Sequence, residues 1–435
     1  MSDVHWPFIP ANMPEIVSTE DVHLVDAGGR RILDAAGGAI VTNIGHGRER
    51  VVAKVAEATR ETTYVVPPWI TPSRRALVEV LERHWLPPEL PHIHLTSGGS
   101  ESVESAVKLA LQYHVARGEP ERSLVIARSP SYHGTTLATA SLSGHAARKR
   151  GLESFLTTHP VVPTPYPLRC PLGRDHPDMG AWYAQTLEDT IHHAGAQRVA
   201  AFLAEPITGA SGGAIVPPDD YWPRIREICD RYGVLLIMDE VMTGFGRTGK
   251  PFGHQHWEVM PDILVGGKGL AGGYAPLGGV FASAAIGDAI RSAGMNVMFH
   301  TFGAHPAACA AAAEVLTILV EENLTERAAR MGALLAARLE DALGQHPHVA
   351  EVRGRGLLQA VEIVRDRETL TPYEESQGIA SRVVGRALEQ GVFFYAGGTG
   401  EFRDMVCLGP PFTITEAHVE TMVGTLAAAI DAVCR

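Results

Sequence analysis

Cysteine is scarce in this chain: Cys170, Cys229, Cys309, Cys407 and Cys434 are scattered through 435 residues. The number is odd and no CxxC pair occurs, so neither a disulfide framework nor a zinc ribbon is expected, and the thiols are read as reduced. Basic charge is also in deficit. Lys and Arg number 37 against 49 Asp and Glu, a formal net charge of −12 that excludes capture of nucleic acid or an anionic membrane by bulk attraction. No apolar run approaches the roughly 20 residues a membrane-spanning helix needs. The stretch 1–10 holds Asp3, His5 and two prolines, without the basic start and apolar centre of a secretory signal. The pairs His92/His94, His192/His193 and His254/His256 have no carboxylates at a metal-ligand spacing, so no metal site is expected. A cytoplasmic protein is the expectation.

The length calls for two or three packed domains. Hydrophobic residues at 45% and charged residues at 20% are those of an ordinary globular chain. Its middle alternates short apolar runs with helix-like segments. The runs 123–127 (SLVIA), 199–204 (VAAFLA), 234–238 (VLLIM) and 262–265 (DILV) are nearly unbroken. They suit strands buried on both faces of a parallel sheet. Segment 221–232 mixes charged and apolar residues at helical spacing, which makes an α/β domain with helices over the sheet. After Pro306 come an Ala-rich helix at 307–321, an amphipathic helix at 323–343, and strand-like pieces at 357–363 and 392–395. These predict a smaller α+β domain. A hairpin signal at 22–25 and 31–34, around Ala27-Gly28-Gly29, is expected to pack on it. The expected division is an N-terminal segment 1–55, a large domain 56–310 and a small domain 311–435.

Ligands of open α/β sheets sit beyond the carboxyl ends of the strands. Tyr132-His133-Gly134 follows the first run, Glu205-Pro206 the second, Asp239-Glu240 the third and Gly266-Gly267-Lys268-Gly269 the fourth. Thr96 to Ser100 (TSGGS) opens a helix whose apolar face holds Val103, Ala106, Val107, Ala110 and Leu111. That loop is either a plain helix start or a phosphate cradle of free backbone N–H groups. Lys268 is either a solvated loop lysine or a desolvated nucleophile that glycines expose to a bulky ring. Asp239 is either the partner of a protonated pyridine nitrogen or the acid of a nucleotide-binding strand. The latter requires GxxxxGK[ST], which is missing, and Lys268 precedes Gly269. Tyr132 and His133 are either core residues or neighbours of a flat ring.

In order and spacing, SGGSESVESAVKLA, SYHGTTLA, AEPITGASGG, IMDEVMTGFGRTG, GGKGLAGGYAPLGG, HTFGAHPAACAAA and VRGRGLL resemble the class III aminotransferases. The likeness runs from ILDAAGGAIVTNIGHG to LGPPFTIT, nearly the whole chain. It implies fold type I, with a large domain around a mostly parallel sheet and a smaller α+β domain, and pyridoxal 5′-phosphate (PLP) as cofactor. Lys268 would hold the coenzyme and shuttle the proton, and Asp239 would pair with the pyridine nitrogen. Tyr132 and Val241 would lie on the two faces of the ring. Gly99 and Ser100 would bind the phosphate, His133 would flank the ring, and Glu205 would sit at its hydroxyl side. Thr301 would reach the phosphate in a neighbouring subunit, which requires at least a homodimer and leaves a tetramer open. Arg403 would grip a substrate carboxylate, a task suited to a bidentate guanidinium.

Two departures bear on the substrate. The segment after Glu205-Pro206-Ile207 carries Ala210 and Ser211 where the γ-aminobutyrate and ornithine branch has a glutamate. That leans toward amine or ω-amino acid donors with a keto acid such as pyruvate as acceptor. Ile40-Val41 stands where amine:pyruvate relatives often carry Trp, so Ile40 would give an aliphatic pocket wall, with Trp69 or Tyr64 supplying aromatic surface. The implied reaction is a ping-pong amino transfer. An aminomutase, racemase or decarboxylating aminotransferase of the same fold is the alternative. A catalytically dead binding protein is disfavoured by the presence of both Lys268 and Asp239.

Overall fold

The computed structural model describes residues 13–297 and 299–434. Its centre is a seven-stranded sheet. In chain order the strands are β4 (His92–Thr96), β5 (Leu124–Ser129), β6 (Val161–Pro163), β7 (Val199–Ala204), β8 (Leu235–Asp239), β9 (Ile263–Gly266) and β10 (Gly278–Ala282). They lie in the order β4-β10-β9-β8-β7-β5-β6. Strands β9, β8, β7, β5 and β6 pair in parallel, and β10 runs antiparallel to both β4 and β9.

The unbroken apolar runs become strands because both faces of this sheet are covered. Alternate side chains point to opposite faces. Ala201, Leu203, Leu235 and Ile237 pack with Val103, Ala106 and Ala110 of the helix Gly99–Ala116, and with Ile286 and Ile290 of the helix Ala284–Ser292. Their neighbours Phe202, Ala204, Leu236 and Met238 pack on the other side, against Tyr183 and Leu187 of the helix Met179–Ala194 and Trp222 and Ile225 of the helix Tyr221–Tyr232. Gly233, at φ +63°, ends the last of these in the left-handed conformation, and β8 follows.

Two smaller sheets flank the first. One orders β1 (Ile16–Glu20), β2 (His23–Asp26), β3 (Arg31–Asp34) and β13 (Val392–Phe393); the other orders β11 (Val349–Arg355), β12 (Leu358–Ile363), β15 (Phe402–Leu408) and β14 (Tyr395–Thr399). The strand-like piece expected at 392–395 therefore splits between two sheets. Val392 and Phe393 pair in parallel with Leu33 and Asp34, whereas Tyr395 pairs with Cys407. Phe394, fully buried, marks the crossing. The helices Pro306–Glu321, Leu324–Leu343, Ile379–Glu389 and Glu416–Val433 complete the C-terminal part. Among the described residues, no helix is long and apolar enough to cross a membrane, and no cluster of three or more His, Cys, Asp or Glu is placed to hold a metal ion.

Candidate active site

The strand-end residues converge because consecutive parallel strands all deliver their carboxyl ends to one edge of the sheet. A cavity of about 230 Å³ opens there, lined by Gly99, Ser100, Tyr132, His133, Glu205, Asp239, Val241 and Lys268 among others.

Asp239, the last residue of β8, is buried. Its Oδ2 lies 2.7 Å from His133 Nδ1, and its Oδ1 accepts the backbone N–H of Val241 at 3.1 Å. One carboxylate is thus gripped from two sides and aimed by groups from two strand ends. His133 is held in turn by its backbone N–H, which donates to Ser143 Oγ at 2.8 Å. Its Nε2 is buried without a partner. Glu205, one residue beyond β7, accepts the Gly209 N–H on Oε1 at 3.0 Å, while its Oε2 is buried without a partner. Burial pushes the pKa of this carboxyl up, against the opposing pull of His133 and Arg128.

Lys268 follows β9 by two residues, with φ at +39°, a conformation that L side chains seldom adopt. Loss of water around its amine pulls its pKa down to about 8, although Asp239 and Glu205 act to raise it. The share of uncharged, nucleophilic amine near neutral pH is therefore raised far above that of an ordinary lysine, in the direction that proton-transfer and covalent chemistry require.

Opposite, Gly98 begins the helix Gly99–Ala116 without a side-chain cap. A Cβ at Gly99 would stand 3.0 Å from Val241 Cγ1, so the backbone closes tightly on that side chain. Ser100 Oγ accepts the Thr135 N–H at 3.1 Å. Free N–H groups at the start of a long helix favour an anion. Behind the site, buried Glu240 accepts from the Gly253 N–H at 2.8 Å, the His254 N–H at 2.7 Å and Thr243 Oγ1, and lies 2.8 Å from His254 Nδ1. The sequence marks Glu240 only as Asp239's neighbour; its partner, fourteen positions on, carries no signal of its own.

Five of the expected residues do not line this cavity, Thr301 among them, which is expected at a neighbouring subunit's site. Thr301 is exposed and does not line this cavity. Trp69 is 67% exposed and also lies off the wall, as does Tyr64, whose ring meets Phe302 edge-on at 6.3 Å. Ile40 is buried against Gly409, and Ala39 takes the wall position, because the turn through Gly37 and Gly38, both at positive φ, swings Ile40 inward. Arg403 does not face the cavity: its Nη2 and Nε donate to the Tyr373 carbonyl at 2.8 and 3.1 Å, and its Nη1 to the Gly400 carbonyl at 2.9 Å. The cavity wall also includes Arg148, Ser211, Tyr395 and Gly397, of which the sequence pattern singles out only Ser211.

Residues 11–430 match the family model described as aminotransferase class III. The chain is 34% identical over 416 residues to a putrescine–pyruvate aminotransferase of Pseudomonas aeruginosa, covering 94% of this chain and 88% of that one. It is 35% identical over 422 residues to a taurine–pyruvate aminotransferase of Bilophila wadsworthia, covering 94% and 90%. An amine transaminase from an uncultivated Pseudomonas species, solved in its PLP-bound form, superposes with a TM-score of 0.93 at 36% identity, covering 99% of both chains.

Proposed function

The chain belongs to the class III aminotransferases, and on that premise we propose that Lys268 and Asp239 carry its chemistry. It is a PLP-dependent enzyme of fold type I that transfers amino groups. The same-fold aminomutase, racemase and decarboxylating readings are not favoured, since the relatives are transaminases.

The cavity fits the coenzyme on its own chemistry. An enclosed amine of lowered pKa, an oriented carboxylate, the partnerless Glu205 Oε2 and an uncapped helix start at Gly99 are complementary to an aldehyde, a ring nitrogen, a ring hydroxyl and a phosphate. When bound, PLP supplies an electron-withdrawing ring that spreads the charge developing at the substrate carbon. In our reading Lys268 Nζ anchors the coenzyme, then removes the proton from the amine-bearing carbon of the substrate and later delivers one to the acceptor's carbon. Asp239, held by His133 and Val241 N–H, keeps the ring nitrogen protonated. Tyr132 and Val241 would hold the ring, Gly99 and Ser100 would receive the phosphate, and Glu205 Oε2 would accept from the hydroxyl. The donor is an amine or ω-amino acid and the acceptor a keto acid such as pyruvate, in alternating half-reactions.

The same reading assigns Thr301 to the site of a partner subunit in a homodimer, supported by its exposure beside the exposed Phe302. It takes 56–310 as the large domain and 311–435 as the small one, with 1–55 packed on the latter. A cytoplasmic setting accords with five buried, unpaired thiols.

The observation that carries the proposal is Lys268, an amine of depressed pKa, sharing one cavity with the buried Asp239. The test is borohydride reduction of the coenzyme-loaded protein followed by peptide mass analysis. The wild type is expected to carry the coenzyme on the Lys268 peptide. Lys268→Ala is expected to carry none and to lose more than the roughly 10²–10⁴-fold a general base is worth, because the anchor goes with it. Label on another lysine would sink the assignment.

A further inference from the structure

We propose that Arg148 is the cationic anchor for an acidic group of the substrate, a carboxylate or sulfonate remote from the reacting carbon. This deepens the aminotransferase reading and rests on it. Arg148 closes the short turn Ala146–Arg148 and faces the same cavity as Lys268. Its guanidinium carbon stands 4.5 Å from the centre of the Tyr132 ring, which fixes its direction through a cation–π contact.

Three other arginines around the site are committed, and Arg128, whose Nη2 donates to the Glu205 carbonyl, keeps its remaining nitrogens buried outside the cavity lining. Arg353 is bound to Glu362 and to the Gly212 and Gly213 carbonyls, Arg247 to the Thr42 and Pro410 carbonyls, and Arg403 to the Tyr373 and Gly400 carbonyls. Among the described residues Arg148 has neither a side-chain hydrogen bond nor an ion pair. The two acids of the cavity are turned to other groups: Asp239 to His133 and Val241, Glu205 to Gly209. The adjoining wall at Ala210 and Ser211 offers no carboxylate either. The guanidinium thus presents its donors to whatever enters, in the fork that matches a carboxylate. It is also near enough to Lys268 to help depress that amine's pKa, so a bound anion would be felt at the reacting centre.

The test compares wild type, Arg148→Gln, Arg148→Lys and Arg403→Ala, all loaded with PLP. Calorimetry reads the Kd of glutarate, an unreactive dicarboxylate. Steady-state rates with pyruvate read the ratio of kcat/KM for β-alanine to that for propylamine, its counterpart without the carboxylate. Arg148→Gln is expected to weaken glutarate binding and to lower the ratio, each by about ten-fold or more, the worth of a hydrogen bond to a charged group. Arg148→Lys, with charge but no fork, is expected to fall between. The proposal is overturned if Arg148→Gln leaves the Kd and the ratio unchanged. It is equally overturned if both amines slow in parallel, because Arg148 then only props the Tyr132 ring. A loss of glutarate binding confined to Arg403→Ala also overturns it. Failure of the wild type to turn over any amine would instead defeat the aminotransferase reading, while the glutarate Kd would still report on Arg148.

Discussion

At the scale of single residues, the site depends on a lysine that gives up its proton early. Desolvation sets the Lys268 pKa at about 8 in the folded chain, against the 10.5 of an ordinary lysine. The unfolded chain therefore binds the extra proton between these values, so stability rises with pH across that window. Below it the amine is protonated in both states and its burial is a standing cost. In coenzyme-free protein the urea midpoint of wild type is expected to gain on that of Lys268→Met as pH is raised from about 8 to 10.5. The comparison cancels the tyrosines and thiols that titrate nearby. Parallel profiles would mean that the amine is well hydrated in the apoprotein. Residue identity was the most legible level of this site: Lys268, Asp239, Glu205, Tyr132 and His133 each follow a buried apolar run, and all five line the cavity. Side-chain direction was not legible. Arg403 and Ile40 lie in segments that border the site, yet one guanidinium binds the Tyr373 carbonyl and the other side chain packs under Gly409. Such choices depend on backbone turns and on neighbours tens to hundreds of positions away.

At the scale of elements, the strand ends and the helix start must approach closely. Gly134 shows how little room is left: its φ is +137°, and a Cβ there would stand 2.5 Å from Ser100 Oγ and 2.6 Å from Thr139 Oγ1. Gly134→Ala is expected to cost about 1–3 kcal/mol, from backbone strain and forced displacement of Ser100. Urea unfolding would measure this cost, and release of coenzyme on dialysis would show the loosened helix start. An unchanged midpoint would mean that the turn relaxes freely. Four strands of the central sheet, β5, β7, β8 and β9, were readable because burial on both faces leaves a run of four to six apolar residues, a strictly local signal, whereas β4 and β6 carried no such run. Strand β10 escaped it: its sequence GGVFA opens on two glycines, and only pairing with β4 and β9 shows that it runs against the others.

For the molecule as a whole, Arg247 ties the parts together. Its guanidinium is buried, donating to the carbonyls of Thr42 at 2.7 Å and Pro410 at 2.6 Å, and stands 4.7 Å from the centre of the Phe412 ring. Burial lowers its pKa to about 9, so it remains charged at neutral pH. The contacts join the N-terminal loop that carries Ala39 to the turn beyond β15. Arg247→Met is expected to leave those carbonyls without donors, at about 1–3 kcal/mol each, and to lower Tm while loosening the wall at Ala39. Calorimetry beside the exposed control Arg291→Met checks it; equal Tm values would refute the tie.

Membership of the family, the coenzyme and the residues that meet at the sheet's carboxyl edge were all written in the linear chain, because each follows from a short run and what comes directly after it. Folding in three dimensions settled the rest: the division of 392–399 between two sheets, the pairing of Glu240 with His254, and the placing of Arg148 on the cavity wall. These outcomes depend on how segments, from fourteen to hundreds of positions apart, share space and hydrogen-bond partners, which no short apolar run and its sequel encode.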